Sequence, residues 1–452
     1  MKIAVTGGSG QLGTLVLKRL IADPSIKEIV CFDKRPPAVL SDKLRTVLGD
    51  IRDAGLEEHF AGCDAVVHLA FLVTVRAPRD VFWGVNVDGS KNVFLSAAKA
   101  GAKHVIYSSS VAAYGVVPGH PNPIVEDTPR RHQPDFPYSA TKFEVEAFLD
   151  EFEKEHAGIA VTRIRPSILV GEHMEHPLGA ALKSRRLPAS SDAPMPIVWD
   201  EDVADAILLV LKKRAAGAFN VCADDLLPPV ELARAVGLTP LRIPVNVALA
   251  FARLSPLLER AKLGHAVDEA WIKSGGVSMV QSSERAKNVL GWKPQCPTAV
   301  SVMQKYLETV PRRMDRRLAI FFHLVGRGAK RAEVPDAMRG VSAHVHLHLT
   351  GAGGGEIGLV VDDGRLSVSR RAPRPPTAIL TMPAKTMLDL LGGKTDFATA
   401  LGDGSVHLDG DPVAGFMVGG IVEMFRAGKT KKGAEGAVTR VMGKWFAREG
   451  VA

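Results

Sequence analysis

Thr6-Gly7-Gly8-Ser9-Gly10-Gln11-Leu12-Gly13 decides the fold of the first two thirds of the chain. It follows the short apolar run 3–5 directly and opens a stretch, 12–22, whose apolar residues recur at helical spacing. Gly7 permits the tight turn, Gly10 lets backbone approach a pyrophosphate, and Gly13 lets the helix pack closely on the strand. The helix start, with Gln11 and Leu12 in its first turn, offers free N–H groups and the positive end of a dipole to the phosphates. Asp33 ends the second apolar run, 20 residues after Gly13, where a carboxylate meets a ribose hydroxyl. That acid favours NAD, because a 2′-phosphate would face a like charge. Lys34 and Arg35 follow at once and keep NADP as the alternative.

Outward from this loop the pattern is regular. Runs 3–5, 28–32, 65–69, 104–108 and 160–164 read as strands, with helical stretches 12–22, 85–100 and 140–156 between them. Alternating strands and helices imply βαβ units, hence a doubly wound parallel sheet covered on both faces. From 171 to 310 prolines multiply and elements shorten, as expected of a small substrate-covering region. Pro311 and Arg312, Arg313, Arg316 and Arg317 then open a basic linker, expected over 311–335. Beyond it the order reverses: strand-like alternation at 342–349, 356–361 and 365–369, then helices and a last strand at 405–408. This reads as a separate α+β domain over 336–430, with a basic, amphipathic tail at 431–452.

With 452 residues the chain is too long for one ordinary domain. Its 46% hydrophobic and 23% charged residues exclude a mostly disordered or fibrous protein. Cysteines 31, 63, 222 and 296 form neither a CxxC pair nor a zinc spacing, so a reducing cytoplasm is expected. The start turns glycine-rich too early for a signal peptide, and no apolar run is long enough to span a membrane. Beyond residue 310 basic residues outnumber acidic ones 21 to 14, against 36 to 35 before it. The +8 net charge therefore belongs to the C-terminal third, where peripheral membrane contact is one reading and a solvated basic stretch the other. No nucleic-acid partner is expected.

Further distinctive stations follow the glycine loop along the chain. They are Gly49-Asp50-Ile51-Arg52-Asp53, His68-Leu69-Ala70, Asn86-Val87-Asp88-Gly89, Tyr107-Ser108-Ser109-Ser110, Tyr138-Ser139-Ala140-Thr141-Lys142, Arg165-Pro166-Ser167 and Leu290-Gly291-Trp292-Lys293-Pro294. Residues 1–310 thereby resemble the extended short-chain dehydrogenase/reductase family of NAD-dependent epimerases, dehydratases and 3β-hydroxysteroid dehydrogenases. The resemblance implies that Asp50 and the Ile51 backbone hold adenine, that Leu69 and Ala70 pass the cofactor, and that Pro166 lies beside nicotinamide. It also implies a catalytic set of Ser110, Tyr138 and Lys142, and a homodimer paired through 85–100 and 140–156.

Tyr138 and Lys142 are four apart on a helical stretch and share a face. A free phenol titrates near ~10, so serving as a base near neutrality takes about 4 kcal/mol. An ammonium at ~4 Å supplies roughly that at an effective dielectric of ~20. Tyr138 is thus the expected general acid/base, Ser110 the hydrogen-bond partner of the reacting oxygen, and Lys142 the group that lowers the phenol's pKa. The resemblance also implies that Lys142 holds the nicotinamide ribose and that Tyr138 contacts the cofactor. The family's dehydratases carry an Asp-Glu pair after the catalytic hydroxyl. Val111-Ala112-Ala113 stands here, offering no second acid for eliminating water.

Residues 336–430 resemble the sterol carrier protein type 2 fold. The resemblance is carried by 345–351, 360–368, 376–382, 388–393 and 404–411. It implies a lipid-binding module in which a buried chain gains ~0.8 kcal/mol per CH₂. His344, His346 and His348 alternate on one strand, as do apolar residues on its other face, and no acid or cysteine stands near them to complete a metal set. His173 and His176, with Glu172 and Glu175, fall in a loop or the substrate cleft. The expected whole is an NAD(P)-dependent oxidoreductase acting on a lipid-like alcohol or ketone. The alternatives are a nucleotide-sugar epimerase with a membrane-docking carrier module, and a non-catalytic, nucleotide-sensing lipid carrier.

Overall fold

The computed structural model describes all residues except 74–77, 173, 175–176, 261–266, 310–313, 315, 330–341, 352, 363–364, 370–374 and 428–452. The chain divides into two units, Met1–Tyr306 and Leu307–Ala452.

The first unit is built on strands β1 (Lys2–Thr6), β2 (Glu28–Asp33), β3 (Leu44–Leu48), β4 (Ala65–His68), β5 (His104–Ser108), β6 (Ala160–Pro166) and β7 (Gly217–Val221). They lie in the order β7-β6-β5-β4-β1-β2-β3, and every pairing is parallel. The order reverses between β1 and β4, which opens a crevice at the carboxyl ends of those strands, where doubly wound sheets bind ligands. Helices α1 (Gln11–Ala22), α2 (Gly89–Lys99), α3 (Pro137–Glu155) and α4 (Asp200–Lys213) cover the sheet. One face is sealed by Val16, Leu17 and Leu20 of α1 with Val203, Ile207 and Val210 of α4. The other is sealed by Val93, Phe94 and Ala97 of α2 with Val145, Leu149 and Phe152 of α3. Buried on both sides, the strands read as continuous apolar runs rather than alternations.

The region beyond 171 differs from expectation. It does not only cover the substrate: α4 and β7 complete the parallel sheet, because the open face beside α1 needs a second helix. Two short parallel pairs, Ile168–Val170 with Ile197–Trp199 and Arg186–Ala189 with Thr239–Arg242, carry the remainder. So do helices α5 (Val245–Arg260) and α6 (Glu269–Ser274).

The second unit opens with helix α7 (Arg316–Ala329), inside the stretch expected to be a linker. Its Leu318, Phe321 and Phe322 are core residues, so an amphipathic helix stands where charge alone suggested solvated chain. Strands β8 (Ala343–Thr350), β9 (Gly355–Asp362), β10 (Arg365–Ser369), β11 (Ala378–Pro383) and β12 (His407–Gly410) form a mixed sheet ordered β10-β9-β8-β11-β12. Only β8 and β11 pair in parallel. Helices α8 (Ala384–Gly392) and α9 (Pro412–Ala427) complete the α+β unit. Arg312, Arg313 and the expected tail at 431–452 lie outside the described residues. Among the described residues no helix is long and apolar enough to cross a membrane.

Candidate active site

The glycine loop is shaped as its sequence demands. Gly7 sits at φ +76°, and a Cβ there would run into the backbone of Leu69 and Ala70 at the end of β4. A Cβ at Gly13 would strike the Gly7 carbonyl and, at 2.7 Å, Gly8 Cα. Gly8, to which the sequence reading gave no role, is pressed against Cys31 and Leu17. Asp33 accepts a hydrogen bond from the Ser9 backbone N–H at 2.9 Å, which fixes its carboxylate beside the loop. This backbone cradle, with a pinned acid at its rim, fits a dinucleotide.

Lys34 is committed elsewhere: its ammonium lies 2.7 Å from Asp50, which Arg52 also holds through two hydrogen bonds. These cations keep the Asp50 carboxyl well below the usual range. Ile51 is buried beneath Gly89, and its carbonyl accepts from Asn92 at 2.8 Å. Leu12 packs on the core, and the Gln11 side-chain amide is bonded to Asp200 at 2.7 Å, leaving the backbone of both at the helix start.

A polar chain locks the strand ends around this cradle. Thr6 Oγ1 and His68 Nδ1 are 2.7 Å apart, and His68 Nε2 and Ser90 Oγ are 2.8 Å apart. Ser90 donates its single proton to the Asn86 carbonyl, so Ser90 Oγ accepts from His68 Nε2–H and Nδ1 accepts from Thr6. Burial, with Lys142 adding to it, pushes the His68 pKa down to about 3 and keeps the ring neutral. The Asn86 amide clasps both backbone groups of Leu72, at 2.7 and 2.9 Å, and so holds the turn carrying Ala70 and Phe71. A π-helical turn, Gly84–Asp88, sets Asn86 at that point.

Ser110, Tyr138 and Lys142 do converge. Ser110 Oγ accepts from the Ala112 N–H at 3.2 Å and lies near enough to Tyr138 to influence its titration. Burial raises the Tyr138 pKa above its ordinary value, while Ser110 pulls it back. The lowering expected from Lys142 is not among the causes. The Lys142 ammonium donates to the Ser108 carbonyl at 2.7 Å and stands 3.5 Å above the Phe71 ring, and burial lowers its own pKa strongly.

The sequence reading missed what lies beneath and above. Glu146, one turn beyond Lys142, is fully buried. It accepts from Ser109, from Arg165 at 2.9 and 2.5 Å, and from Arg130 at 3.0 Å. Burial opposes its charge, but Arg165 and Arg130 outweigh that and hold its pKa at about 2. The signal was present: Arg163 and Arg165 alternate on an otherwise apolar central strand, and buried guanidiniums need an acid. Above the phenol, Trp271 of α6 lies 5.3 Å from the Tyr138 ring, and Phe136 and Phe71 lie 6.1 and 5.9 Å away. Val111, Ala112, Val116 and Met279 complete an apolar wall.

Pro166 ends β6 opposite Val221. Among the described residues no group of three His, Cys, Asp or Glu side chains could hold a metal. His173, Glu175 and His176 lie outside them.

A dinucleotide cradle at the switch point of a doubly wound sheet, facing a buried Ser–Tyr–Lys set, defines an enzyme domain that uses a nicotinamide cofactor. Comparison with known proteins places it further. Residues 3–222 match the model of the NAD dependent epimerase/dehydratase family, and residues 322–422 that of the SCP-2 sterol transfer family. Those matches place an epimerase/dehydratase domain of the extended short-chain type in the first unit and a sterol-carrier domain in the second. The chain is 35% identical over 173 residues to N-acetyl-alpha-D-glucosaminyl-diphospho-ditrans,octacis-undecaprenol 4-epimerase of Escherichia coli O157:H7, a match spanning 38% of this chain and 49% of that one. UDP-glucose 4-epimerase of Lactobacillus helveticus is 26% identical, over 65% of this chain and 92% of its own. The solved DesIV, a dTDP-glucose 4,6-dehydratase from Streptomyces venezuelae with NAD bound, superposes with a TM-score of 0.54 at 22% identity. That likeness, covering 68% of this chain and 96% of DesIV, shows the shared fold. The cofactor of this family is NAD(H), which the pinned Asp33 suits.

Proposed function

We propose that the chain is an NAD-dependent oxidoreductase that interconverts a secondary alcohol and a ketone on a lipid-like molecule, which its sterol-carrier domain binds and presents. The supporting observation is the wall around Tyr138. Phe71, Val111, Val116, Phe136, Trp271 and Met279 pack around the phenol with no second acid among them, an apolar setting that suits a hydrocarbon skeleton bearing one oxygen. NAD, when bound in the glycine cradle with Asp33 on its ribose and Lys142 and Pro166 toward its nicotinamide end, supplies the hydride acceptor. Tyr138 Oη removes the hydroxyl proton of the alcohol, and Ser110 hydrogen-bonds the same oxygen as it becomes a carbonyl. In the reverse direction the protonated phenol donates to the ketone oxygen, the form that burial favours. Lys142, its ammonium anchored on the Ser108 carbonyl and 5.8 Å from the Tyr138 ring, holds the nicotinamide ribose, and Glu146 holds helix α3 on β5 and β6 so that both side chains keep their height. The aromatic cover excludes water from the reacting carbon.

A second reading, a sugar epimerase, is favoured by the 35% identity to a polyprenol-diphosphate sugar epimerase. Epimerisation uses the same phenol and returns the hydride, so no NADH accumulates. Both readings include a cytoplasmic location, which four unpaired buried cysteines support, and a homodimer through the α2 and α3 helices. Steady-state assays of the whole chain with NAD and long-chain or steroidal secondary alcohols separate the readings. Net NADH formation is expected, and Tyr138→Phe should reduce it by about 10²–10⁴-fold with NAD affinity unchanged. Undiminished turnover in Tyr138→Phe would remove the phenol from the mechanism. Isomerised sugar without net NADH would select the epimerase.

A further inference from the structure

Helix α5 takes no part in the cofactor cradle or the catalytic set, yet it carries a surface that soluble helices rarely show. Ala252 and Ser255 turn inward, at 2% and 0% exposure, while Val247, Phe251 and Leu254 stand 52%, 51% and 58% exposed. Their spacing of four and three puts them in one stripe along the helix. Val245 and Leu241 extend the apolar surface toward the preceding strand. A single exposed hydrophobe needs no explanation, but five between residues 241 and 254 form a patch that marks a docking site.

Charge identifies the occupant. Between residues 239 and 274 the sequence carries Arg242, Arg253, Arg260, Lys262 and Lys273 against Glu259, Asp268 and Glu269, a net of +2, with Arg253 and Lys273 both drawn to Glu269. An apolar stripe in net basic surroundings disfavours its own copy face to face and attracts anionic headgroups. A stripe three side chains wide is also well short of the ~800 Å² per partner typical of stable protein pairs. The same helix is tied to the roof of the active site. Arg253 bonds Glu269 of α6 at 2.9 Å, and the Val267 N–H donates to Ser255 Oγ at 2.8 Å. Trp271 of α6 then lies against Tyr138 and, edge-on at 4.9 Å, against Phe136.

We infer that Val247, Phe251 and Leu254 seat the first unit on an anionic lipid surface, so that the α6 roof over Tyr138 opens toward the bilayer from which substrate is taken. The docking rests on the patch itself; the passage of substrate rests on the oxidoreductase reading.

The test sediments the full chain with phosphatidylcholine vesicles, with and without phosphatidylglycerol. Stronger partitioning onto the anionic vesicles is expected. It should fall about tenfold or more in the double variant Phe251→Asp, Leu254→Asp and persist in Phe251→Leu. Because both side chains are exposed, the double variant should melt like the parent and turn over a water-dispersed alcohol equally well. Equal partitioning of parent and double variant overturns the docking, as does a parent dimer that the double variant converts to monomer, which assigns the stripe to a second copy. A parent that binds vesicles through the stripe but oxidises no alcohol supports the docking and defeats the oxidoreductase reading instead.

Discussion

At the carboxyl ends of β1, β4 and β5 nearly every side chain has a named polar partner, whereas in the second unit the strands are held by apolar bulk. Thr6, His68, Ser90 and Asn86 form one hydrogen-bonded chain, and Ser109, Glu146, Arg130 and Arg165 another. Val345, Leu347 and Leu349 of β8 and Ala378, Leu380 and Met382 of β11 are simply packed together. Redox chemistry needs particular atoms at particular places, so it constrains identity. A core that houses or supports a hydrocarbon constrains volume, and many sequences fill a volume.

The contrast can be broken from either side. Leu380→Ala should cost the second unit about 2–5 kcal/mol, read as an early unfolding transition, while NAD binding to the first unit is unchanged. Gly7→Ala should do the opposite, abolishing measurable NAD binding by calorimetry. Its left-handed φ and the Ala70 backbone leave no room for a methyl, with a backbone penalty of about 1–3 kcal/mol.

Acid should also divide the units. Between pH 6.5 and about 3 the unfolded chain binds a proton at His68 that the folded chain refuses. Glu146 behaves alike from its ordinary 4.5 down to about 2. Folded-state stability from both groups is therefore complete above their ordinary values and lost as pH falls. Thermal scans from pH 7 to 4 should show the first unit's transition dropping ahead of the second's. The smallest effect is expected at Asp33. Replacing it with Ser should shift preference toward NADP by about tenfold, ~1.4 kcal/mol, measured as the ratio of cofactor affinities.

How much was legible follows the same division. The glycine loop, Asp33 and the Ser110–Tyr138–Lys142 set were readable because each is a distinctive residue type at a characteristic spacing. Strand β5 falls on its predicted residues, and β1, β2, β4 and β6 differ from theirs only at the ends. Strand β7 was not read, since Gly217-Ala218-Phe219-Asn220-Val221 is a weak apolar run whose place depends on pairing with β6. Glu146 was passed over because a lone acid on a helix ordinarily meets solvent, and only its three-dimensional position beside two arginines makes it internal. Lys142 does stand beside Tyr138, but its electrostatic effect was read from a sequence spacing that says nothing of the Ser108 carbonyl it reaches. Helix α7 was hidden by its arginines, although Leu318, Phe321 and Phe322 repeat at helical intervals among them.

Trp271 gives this enzyme an intrinsic optical reporter. Of the five tryptophans, Trp199 and Trp292 are sealed in the core and should emit at constant wavelength while the fold is intact, and the background from Trp83 and Trp445 is removed by subtracting the trace of a Trp271→Phe variant. The indole above Tyr138 is only partly enclosed, so any event that lifts helix α6, whether ligand entry or contact at helix α5, should redden and quench its fluorescence. The motion of a cover and the arrival of a substrate can therefore be timed on the same trace, with no label added to the chain.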